Sequence, residues 1–267
     1  MSEIKYRIYP SLLDKFQRFL DSEQEFESHW NVTEDGEYRK TYEEICEENE
    51  KALLDAVNRV PFDGDTTAMD KGTCFNEIID CIVNKVPFIN QDIQIESIKD
   101  NNIIVARMLD DDGQVVKEFI YDMTLCRQLA SYYKGALTQY FCKGVISTSY
   151  GDVELYGYAD VCLQDKVIDI KTTKNYTFGD YENRWQRYVY PYCLTEAGNT
   201  INEFSFDVVK WSGGGVRNPV LSGDMYEEVY GYNHNIAKVK LRNILDRFIE
   251  WIELKKELIT DKKIFGL

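Results

Sequence analysis

The chain has 267 residues, of which 44% are hydrophobic and 13% aromatic, as expected of a globular protein with a substantial core. Its formal net charge of −15 argues against a general nucleic-acid coat protein, because such proteins are usually basic. It contains no run of eighteen apolar residues and no signal-peptide hydrophobic segment, so we expect a cytoplasmic protein that does not enter a membrane.

The acidity is concentrated near the N-terminus. Residues 1–70 contain 18 Asp and Glu against 8 Lys and Arg, a net charge of −10, whereas residues 143–190 contain 7 against 6, a net charge of −1. The seven cysteines are scattered singly without a Cys-x-x-Cys pair, so neither a zinc knuckle nor an iron–sulfur cluster is indicated. We expect reduced and mostly buried thiols.

The acidic N-terminal region, residues 1–70, is predicted to be helical. After a turn at Tyr9-Pro10, Ser11 is the expected N-cap of a first helix that carries apolar residues at helical spacing. A second helix is predicted from about Thr41 to Val60, and Pro61 to Thr67 forms a loop.

The next predicted helix, Lys71 to Val83, has a polar face beside its apolar stripe. Asn76 and Asp80 are four residues apart and therefore share one face, with Glu77 next to them. Such a trio fits a cleft, and it equally fits an ordinary solvent-exposed face. The helix alone leaves these alternatives open.

A β-hairpin insertion without chemistry of its own is predicted at 90–121, where Ile93–Ala106 and Gln114–Tyr121 flank an Asp-Asp-Asp-Gly turn. A helix from about Met123 to Tyr140 follows. We then expect a catalytic core at 143–222 and a single domain spanning 1–267. The predicted elements after residue 142 are an antiparallel meander (Lys143–Ser149, Val153–Val161 and Lys166–Ile170), a helix (Asp180–Ala197), two strands (Glu203–Trp211 and Val216–Leu221) and a C-terminal helix (224–258).

Two acids and a lysine lie at the ends of neighbouring predicted strands. Asp160 ends one strand, and Asp169 and Lys171 share one face of the next because they are two residues apart. Carboxylate oxygens and the Ile170 carbonyl suit one or two divalent cations, and Lys171 is placed to assist an attacking water. On spacing alone, a surface ion-pair ladder explains the same residues.

Four stretches in the right order resemble motifs of the PD-(D/E)XK nuclease superfamily. Gly157-Tyr-Ala-Asp160 followed by Asp169-Ile-Lys171 is similar to its motifs II and III, in the branch that holds RecB-type domains, Cas4-like nucleases and phage exonucleases. Gln186-Arg-Tyr-Val-Tyr190 is similar to the Gln-x-x-x-Tyr motif of that branch. The stretch from Gly72 to Asp80 resembles Gly-Thr-x-x-His-x-x-x-Glu, and that from Tyr9 to Phe16 resembles the Ser-x-Leu-x-x-Phe helix.

The resemblance implies an α/β (mixed α+β) fold with a restriction-endonuclease-like core. In that core a central mixed sheet of αβββαβ order is flanked by helices, to which this chain adds the N-terminal helical region and the inserted hairpin. It implies a Mg²⁺- or Mn²⁺-dependent DNA nuclease, an exonuclease in preference to an endonuclease, used in phage or prophage recombination or end processing. The implied partners are a duplex end or a single strand of DNA and a single-strand annealing or recombination protein. Oligomeric state stays open.

The resemblance also assigns roles to individual residues. Asp160, Asp169 and the Ile170 carbonyl would bind the metal, with Asn76 and Glu77 completing its shell. Lys171 would assist the nucleophile, while Gln186 and Tyr190 would support the site from the following helix. The nearest candidate phosphate contacts are Lys174, Arg184 and Arg187.

The chain departs from the family pattern at three points. Asn76 stands where the family has histidine, the iron–sulfur cysteines are absent, and Pro191 should kink the helix of Gln186. The first departure and the charge of −15 favour a rival in which the fold binds nucleic acid or a protein without cutting. A second rival, an acidic DNA mimic, explains residues 1–70 but not the four ordered motifs.

Overall fold

The computed structural model describes residues 3–87 and 91–266. The first residue of the predicted 90–121 insertion, and both ends of the predicted 1–267 domain, lie outside the described residues. No helix in these ranges is long and apolar enough to cross a membrane. The helices are α1 (Pro10–Leu20), α2 (Ser22–Phe26), α3 (Tyr42–Val57), α4 (Thr67–Asn84), α5 (Met123–Tyr132), α6 (Gln186–Glu196) and α7 (His234–Leu254).

Within the described ranges, nine strands form one mixed sheet. They are β1 (Ile4–Ile8), β2 (Ile93–Ile98), β3 (Ile103–Leu109), β4 (Val115–Asp122), β5 (Leu137–Thr148), β6 (Gly151–Cys162), β7 (Lys166–Thr173), β8 (Glu203–Ser212) and β9 (Val220–Gly231). Their order is β1-β6-β7-β8-β9-β4-β3-β2, with β5 also paired to β6. The pairs β1/β6, β7/β8 and β4/β9 are parallel, and the others are antiparallel. The predicted mixed α/β class is confirmed.

Helices cover both faces of this sheet. A first core lies under α1, α3, α6 and α7, and a second core lies under α4 and α5. Successive side chains of β7 point into the two cores in turn: Val167 belongs to the first core and Ile168 to the second. Strands buried on two faces explain the nearly continuous apolar run of residues 167–170.

Strand β6 has a fork along one side. It pairs with β5 along its whole length, so β1 and β7 must share its other side. β1 occupies Asp152 to Leu155 and β7 occupies Val161 and Cys162, which leaves residues 156–160 between them. We call residues 156–160 the β6 fork. Backbone groups left unpaired there need other partners, which gives nearby side chains a role.

The predicted meander is confirmed as antiparallel β5-β6-β7, but the helix predicted to reach Tyr140 is wrong. Helix α5 stops at Tyr132, and Gly135 adopts a φ of +84° before β5 begins at Leu137. Residues 137–148 alternate between exposed and buried positions from Cys142 onward, as a strand with one covered face does. Residues 137–140 therefore form a strand because they pair with β6, although their local apolar spacing also fits a helix.

The predicted C-terminal helix of 224–258 is wrong in its first turns. Residues 220–231 form β9, which pairs with β8 from Glu203 opposite Gly231 to Ser212 opposite Ser222. Helix α7 begins only after Asn233, whose side chain caps the amide of Ile236. The long partner strand outweighs the helical propensity of this charged segment.

Other boundaries also differ from prediction, and a strand, β1, lies in the N-terminal region predicted to be helical. The first helix begins at Pro10 with Tyr9 as its N-cap and no side-chain cap, so Ser11 is not the cap. The predicted insertion is three strands rather than two, and β4 joins it to the main sheet through β9. The predicted 180–197 helix begins at Gln186, with turns before it, and it continues through Pro191 to Glu196.

Candidate metal and active site

Asp160 and Asp169 are brought together at the open end of the β6–β7 ladder. The paired residues are Cys162 with Val167 and Val161 with Ile168, so the same register sets Asp160 opposite Asp169. The ladder stops there because Asp160 Oδ2 accepts a hydrogen bond from the Ile170 amide at 2.8 Å. Asp160 thus pairs with the backbone of β7 at the β6 fork. Asp169, which is only 4% exposed, lies beside it.

Lys171 faces the second carboxylate. Its Nζ lies 2.7 Å from Asp169 Oδ2, although Oδ2 has no hydrogen-bond partner of acceptable geometry. Burial alone would lower the pKa of Lys171, but the adjacent negative charge of Asp169 outweighs burial and raises it. The lysine is therefore a fixed cation, held near the Phe206 ring at 5.7 Å from its centroid.

The Asp160 carboxylate is costly to ionise where it lies. Burial, and then the charge of Asp169, raise the pKa of Asp160 to about 7. Its Oδ1 accepts a hydrogen bond from Gln139 Nε2 at 3.1 Å, which together with the Ile170 amide opposes that rise. A cation bound beside Asp160 and Asp169 would offset this cost of ionisation.

Gln139 connects this carboxylate to helix α4. It adopts a φ of +46°, a left-handed conformation that is rare outside glycine, and the β5–β6 ladder skips it. Burial raises the pKa of Asp80 on α4 to about 7, and the nearby side chains of Thr138 and Gln139 oppose that rise. The strained residue thus joins two acids from different elements.

Helix α4 approaches β7 closely because residue 72 is glycine. A Cβ at Gly72 would lie 2.9 Å from Thr172 Oγ1, closer than such contacts allow. Asn76 and Asp80 follow at intervals of four and share this face. Asn76 Oδ1 is buried and has no hydrogen-bond partner. Glu77 instead accepts a hydrogen bond from Cys81 Sγ at 3.8 Å, and no described hydrogen bond joins it to Asp160 or Asp169.

Helix α6 closes the other side of the site. Tyr190 is buried against Gly157 in the β6 fork, where an added Cβ would lie 2.7 Å from its ring. Burial, and then the charges of Asp169 and Asp160, raise the pKa of Tyr190, so its hydroxyl stays neutral. One turn earlier, Gln186 Oε1 is buried without a partner.

The start of α6 is tied to α1 by Asp14. Its Oδ1 accepts the Trp185 amide at 2.8 Å, and its Oδ2 lies 3.7 Å from Arg184 Nη1. Burial raises the pKa of Asp14, and the nearby charges of Arg184 and Lys171 oppose that rise. A polar cleft of about 380 Å³, lined by Asp14 and Arg184 among others, opens beside this contact.

The three predicted phosphate contacts have different surroundings. Lys174 and Arg184 are exposed, the first directly after β7 and the second before α6. Arg187 is engaged in the fold, since it donates to the Glu182 carbonyl at 2.7 Å and its guanidinium lies 3.9 Å from the Tyr230 ring centroid. The first two are thus available to a ligand, and the third is packed.

The donor set fits a hard divalent cation. Among the described residues, three buried oxygens without hydrogen-bond partners belong to predicted site residues: Asn76 Oδ1, Asp169 Oδ2 and Gln186 Oε1. Buried oxygens normally find partners, and Mg²⁺, Mn²⁺ and Ca²⁺ accept carboxylate, amide and carbonyl oxygens. Within the described ranges, no three His, Cys, Asp or Glu side chains are grouped as metal ligands, so amide oxygens would have to contribute.

The roles of two site residues, Asp14 and Gln139, were not predicted from the sequence. Asp14 lies in the stretch matched to the Ser-x-Leu-x-x-Phe motif, but its contact with the Trp185 amide is separated by 171 residues. Gln139 fell inside the helix wrongly extended to Tyr140. The signal that would have found Gln139 was the Gly135 break before it.

No family model and no curated protein matches the chain. Several solved structures show slight similarity, among them the following two. One is titled SSO0001, with 13% identity over 46% of this chain and 55% of the other and a TM-score of 0.31. The other is Rai1 of Scheffersomyces stipitis, with 11% identity over 95% of this chain and 62% of the other and a TM-score of 0.30. Similarity at this level carries no argument about fold family or function.

Proposed function

We propose that this chain is a Mg²⁺- or Mn²⁺-dependent nuclease that hydrolyses DNA phosphodiester bonds, with a PD-(D/E)XK core built from α4, β5–β7, α6 and β8. The observation that carries the proposal is a set of buried oxygens without an aligned hydrogen bond: those of Asn76 and Gln186 have no partner, and Asp169 Oδ2 has only the Lys171 ammonium at 2.7 Å. These residues come from three elements, α4, α6 and β7, and each lies in a stretch that resembles a family motif.

The site residues would have two roles: the acids and amides would bind the cation, and Lys171 would supply positive charge to the phosphate. Asp160 and Asp169 would hold the cation, with oxygens from Asn76, Gln186 and the Ile170 backbone. When bound, the ion polarises the phosphate and lowers the pKa of its water. Lys171 stays protonated because its pKa is raised, so it offers positive charge to the attacked phosphate and a donor that orients water.

Three further residues keep this arrangement in place. Gln139 fixes one oxygen of Asp160, and the neutral Tyr190 fills the β6 fork against Gly157. Asp14 holds the start of α6, and with it Gln186, against α1. Lys174 and Arg184 are exposed beside the site and would contact the DNA backbone. Exonucleolytic action in phage-type recombination or end processing follows from the family resemblance.

The test is cleavage of linear duplex and single-stranded DNA in Mg²⁺ or Mn²⁺. We expect Asp169→Ala and Lys171→Ala each to lower the rate by at least about a hundredfold. The matched control is a second ion pair far from the site, Lys255 with Glu50, whose atoms lie 2.6 Å apart. Glu50→Ala and Lys255→Ala should retain activity. Wild-type cleavage that survives both site substitutions would sink the proposal.

A non-cutting nucleic-acid- or protein-binding module remains the second candidate, because Asn76 replaces the family histidine and few carboxylates gather at the site. Metal binding separates the two. The nuclease predicts that millimolar Mn²⁺ raises the melting temperature of the wild type and not of an Asp160→Ala, Asp169→Ala double variant. Equal melting curves with and without Mn²⁺ favour the non-cutting candidate.

A further inference from the structure

One face of β5 and β6 carries aromatic side chains that are partly or largely exposed. Leu155 and Cys142 point into the first core, so alternation turns Tyr156, Tyr158 and Phe141 to the opposite face. There Phe141 is 43% exposed and Tyr158 is 59% exposed. We call Phe141, Tyr156 and Tyr158, together with Tyr9, the aromatic face.

The rings of the aromatic face form one contiguous group. Phe141 and Tyr158 are cross-strand neighbours with centroids 5.2 Å apart, and Phe141 is 6.5 Å from Tyr156. Tyr9, at the end of β1, meets Tyr156 edge-on at 5.8 Å. Exposed aromatic side chains grouped in this way mark interaction sites far more often than isolated ones do.

The rim of the aromatic face is basic, in contrast to the chain as a whole. The Arg7 guanidinium lies 5.3 Å from the Tyr156 ring centroid, and Arg59 Nη2 donates to the Tyr156 hydroxyl. Lys143 stands opposite Tyr156 in the ladder, with a side chain 63% exposed. Two acids pair with these three bases: Glu154 lies 2.8 Å from Arg7 and 3.7 Å from Lys143, and Asp261 lies 3.0 Å from Arg59. These five side chains sum to +1 in a chain of −15.

The aromatic face also leads to the candidate site along both strands. Tyr158 is two residues before Asp160, and Phe141 is two residues after Gln139, so the rings and these site residues are near neighbours along the two strands. Strict alternation does not continue between them, because Gln139 is left-handed and Ala159 and Val161 belong to opposite cores. Asp160 and Gln139 are hydrogen-bonded to each other. A ligand that lies across the rings and continues along these strands would pass beside this pair.

We infer that the aromatic face binds single-stranded DNA, with unpaired bases stacked on Phe141 and Tyr158 and phosphates near Lys143, Arg7 and Arg59. Stacking on exposed aromatic rings needs bases that are free of a complementary strand, which selects single strands over duplex. Grouped rings with a locally positive rim are the combination that such sites use. The direction of the strand toward Asp160 rests on the proposed function, whereas the binding itself does not.

The experiment measures affinity of the whole protein for a labelled twenty-residue oligothymidylate in EDTA, where no metal-dependent cleavage occurs. Phe141→Ala and Tyr158→Ala should each weaken binding about tenfold, and the double variant should weaken it further. Tyr158→Phe keeps the ring and should bind as the wild type does. Trp30→Ala, at a ring 41% exposed in the acidic N-terminal region, is the matched control and should have no effect.

Two outcomes overturn the inference. The first is wild-type binding that the double Phe141→Ala, Tyr158→Ala variant leaves unchanged. The second is no oligothymidylate binding together with a wild-type dimer, seen by sedimentation, that this double variant dissolves, because the aromatic face would then join two copies. Asp169→Ala separates the two proposals, since it should abolish cleavage and leave oligothymidylate binding intact. A wild type that cleaves DNA without binding through these rings would refute only the inference.

Discussion

Two regions of the sheet that bury acidic side chains differ in the hydrogen bonding of those side chains. On β8 and β9, Asp207 accepts from the Tyr133 hydroxyl at 2.6 Å and the Ser205 hydroxyl at 3.1 Å. Glu228 accepts from the hydroxyls of Tyr176 and Tyr230, each at 2.7 Å. All four of these carboxylate oxygens are satisfied by the protein itself.

Around the ends of β6 and β7, by contrast, some buried oxygens lack a hydrogen bond. Asp160 is satisfied on both oxygens, but Asp169 Oδ2 meets only the poorly aligned Lys171, and Asn76 and Gln186 each bury an unpaired oxygen. Burying a polar atom without a partner is unfavourable, so such atoms require a reason. The comparison teaches that burial alone does not distinguish the two regions, whereas incomplete pairing does, and on that ground we propose the functional role for Asp160 and Asp169.

The largest effect is expected at Glu228, where the comparison assigns a structural role. Glu228→Ala would leave Tyr176, Tyr230 and the Gly179 amide without their shared acceptor. We expect the free energy of unfolding, measured by urea titration, to fall by about 3 kcal/mol. Glu118→Ala, which breaks an exposed pair with Arg107, is the control and should cost less than about 1 kcal/mol. Equal effects of the two substitutions would erase the distinction between the regions.

An intermediate effect is expected in the pH dependence of Asp207. Burial raises the pKa of Asp207 to about 6, so the folded state holds this proton more tightly than the unfolded chain does. Ionisation therefore removes stability as pH rises from about 4 to above 6. Asp207→Asn lacks this loss and should gain on the order of 2 kcal/mol relative to the wild type between pH 4 and pH 7.

The readout for Asp207 is the difference between wild-type and Asp207→Asn urea titrations at each pH. Asp160, whose pKa is also raised, is present in both proteins and cancels in that difference. Parallel stability profiles would mean that Asp207 ionises as easily as in the unfolded chain, against the structural role assigned to it.

The smallest effect on the free energy of unfolding is expected at Gln186. It should be nil or a small gain, in contrast to the loss expected for Glu228→Ala. Gln186→Met removes an unpaired buried oxygen at nearly constant volume. In EDTA the free energy of unfolding should stay unchanged or rise by up to about 1 kcal/mol, because no hydrogen bond of that oxygen is lost. In Mn²⁺ the same variant should show a smaller metal-induced rise in melting temperature. A loss above about 1 kcal/mol in EDTA would reveal a structural partner for Gln186.

Much of the candidate site could be anticipated from local pattern. The alternation and turns of residues 143–171 predicted the antiparallel meander, and the four-residue spacing of Asn76 and Asp80 predicted their shared helix face. Gln186 and Tyr190 were placed on one helix for the same reason. Short-range periodicity fixes these relations, since each involves residues within one element or across one tight turn.

Other parts of the fold were predicted wrongly because the choice between helix and strand there depends on pairing with residues distant in the sequence. Residues 137–140 and 224–231 both fit a helix locally, yet pairing with β6 and β8 makes them strands. Gln139 and Glu228 lay inside those wrongly assigned helices, so their roles were hidden. The contact between Asp14 and the Trp185 amide joins segments far apart in sequence, which no periodicity can indicate.

The sequence by itself determined the mixed α/β class and the strand positions of Asp160 and Asp169, because hydrophobic alternation and the spacing of turns are local properties. Only the tertiary structure decided that β1 and β7 part along β6 and that α4 and α6 close on the gap. It alone decided which buried oxygens lack a partner. Hydrogen-bond satisfaction depends on every neighbour of an atom, and those neighbours come from six separate elements here.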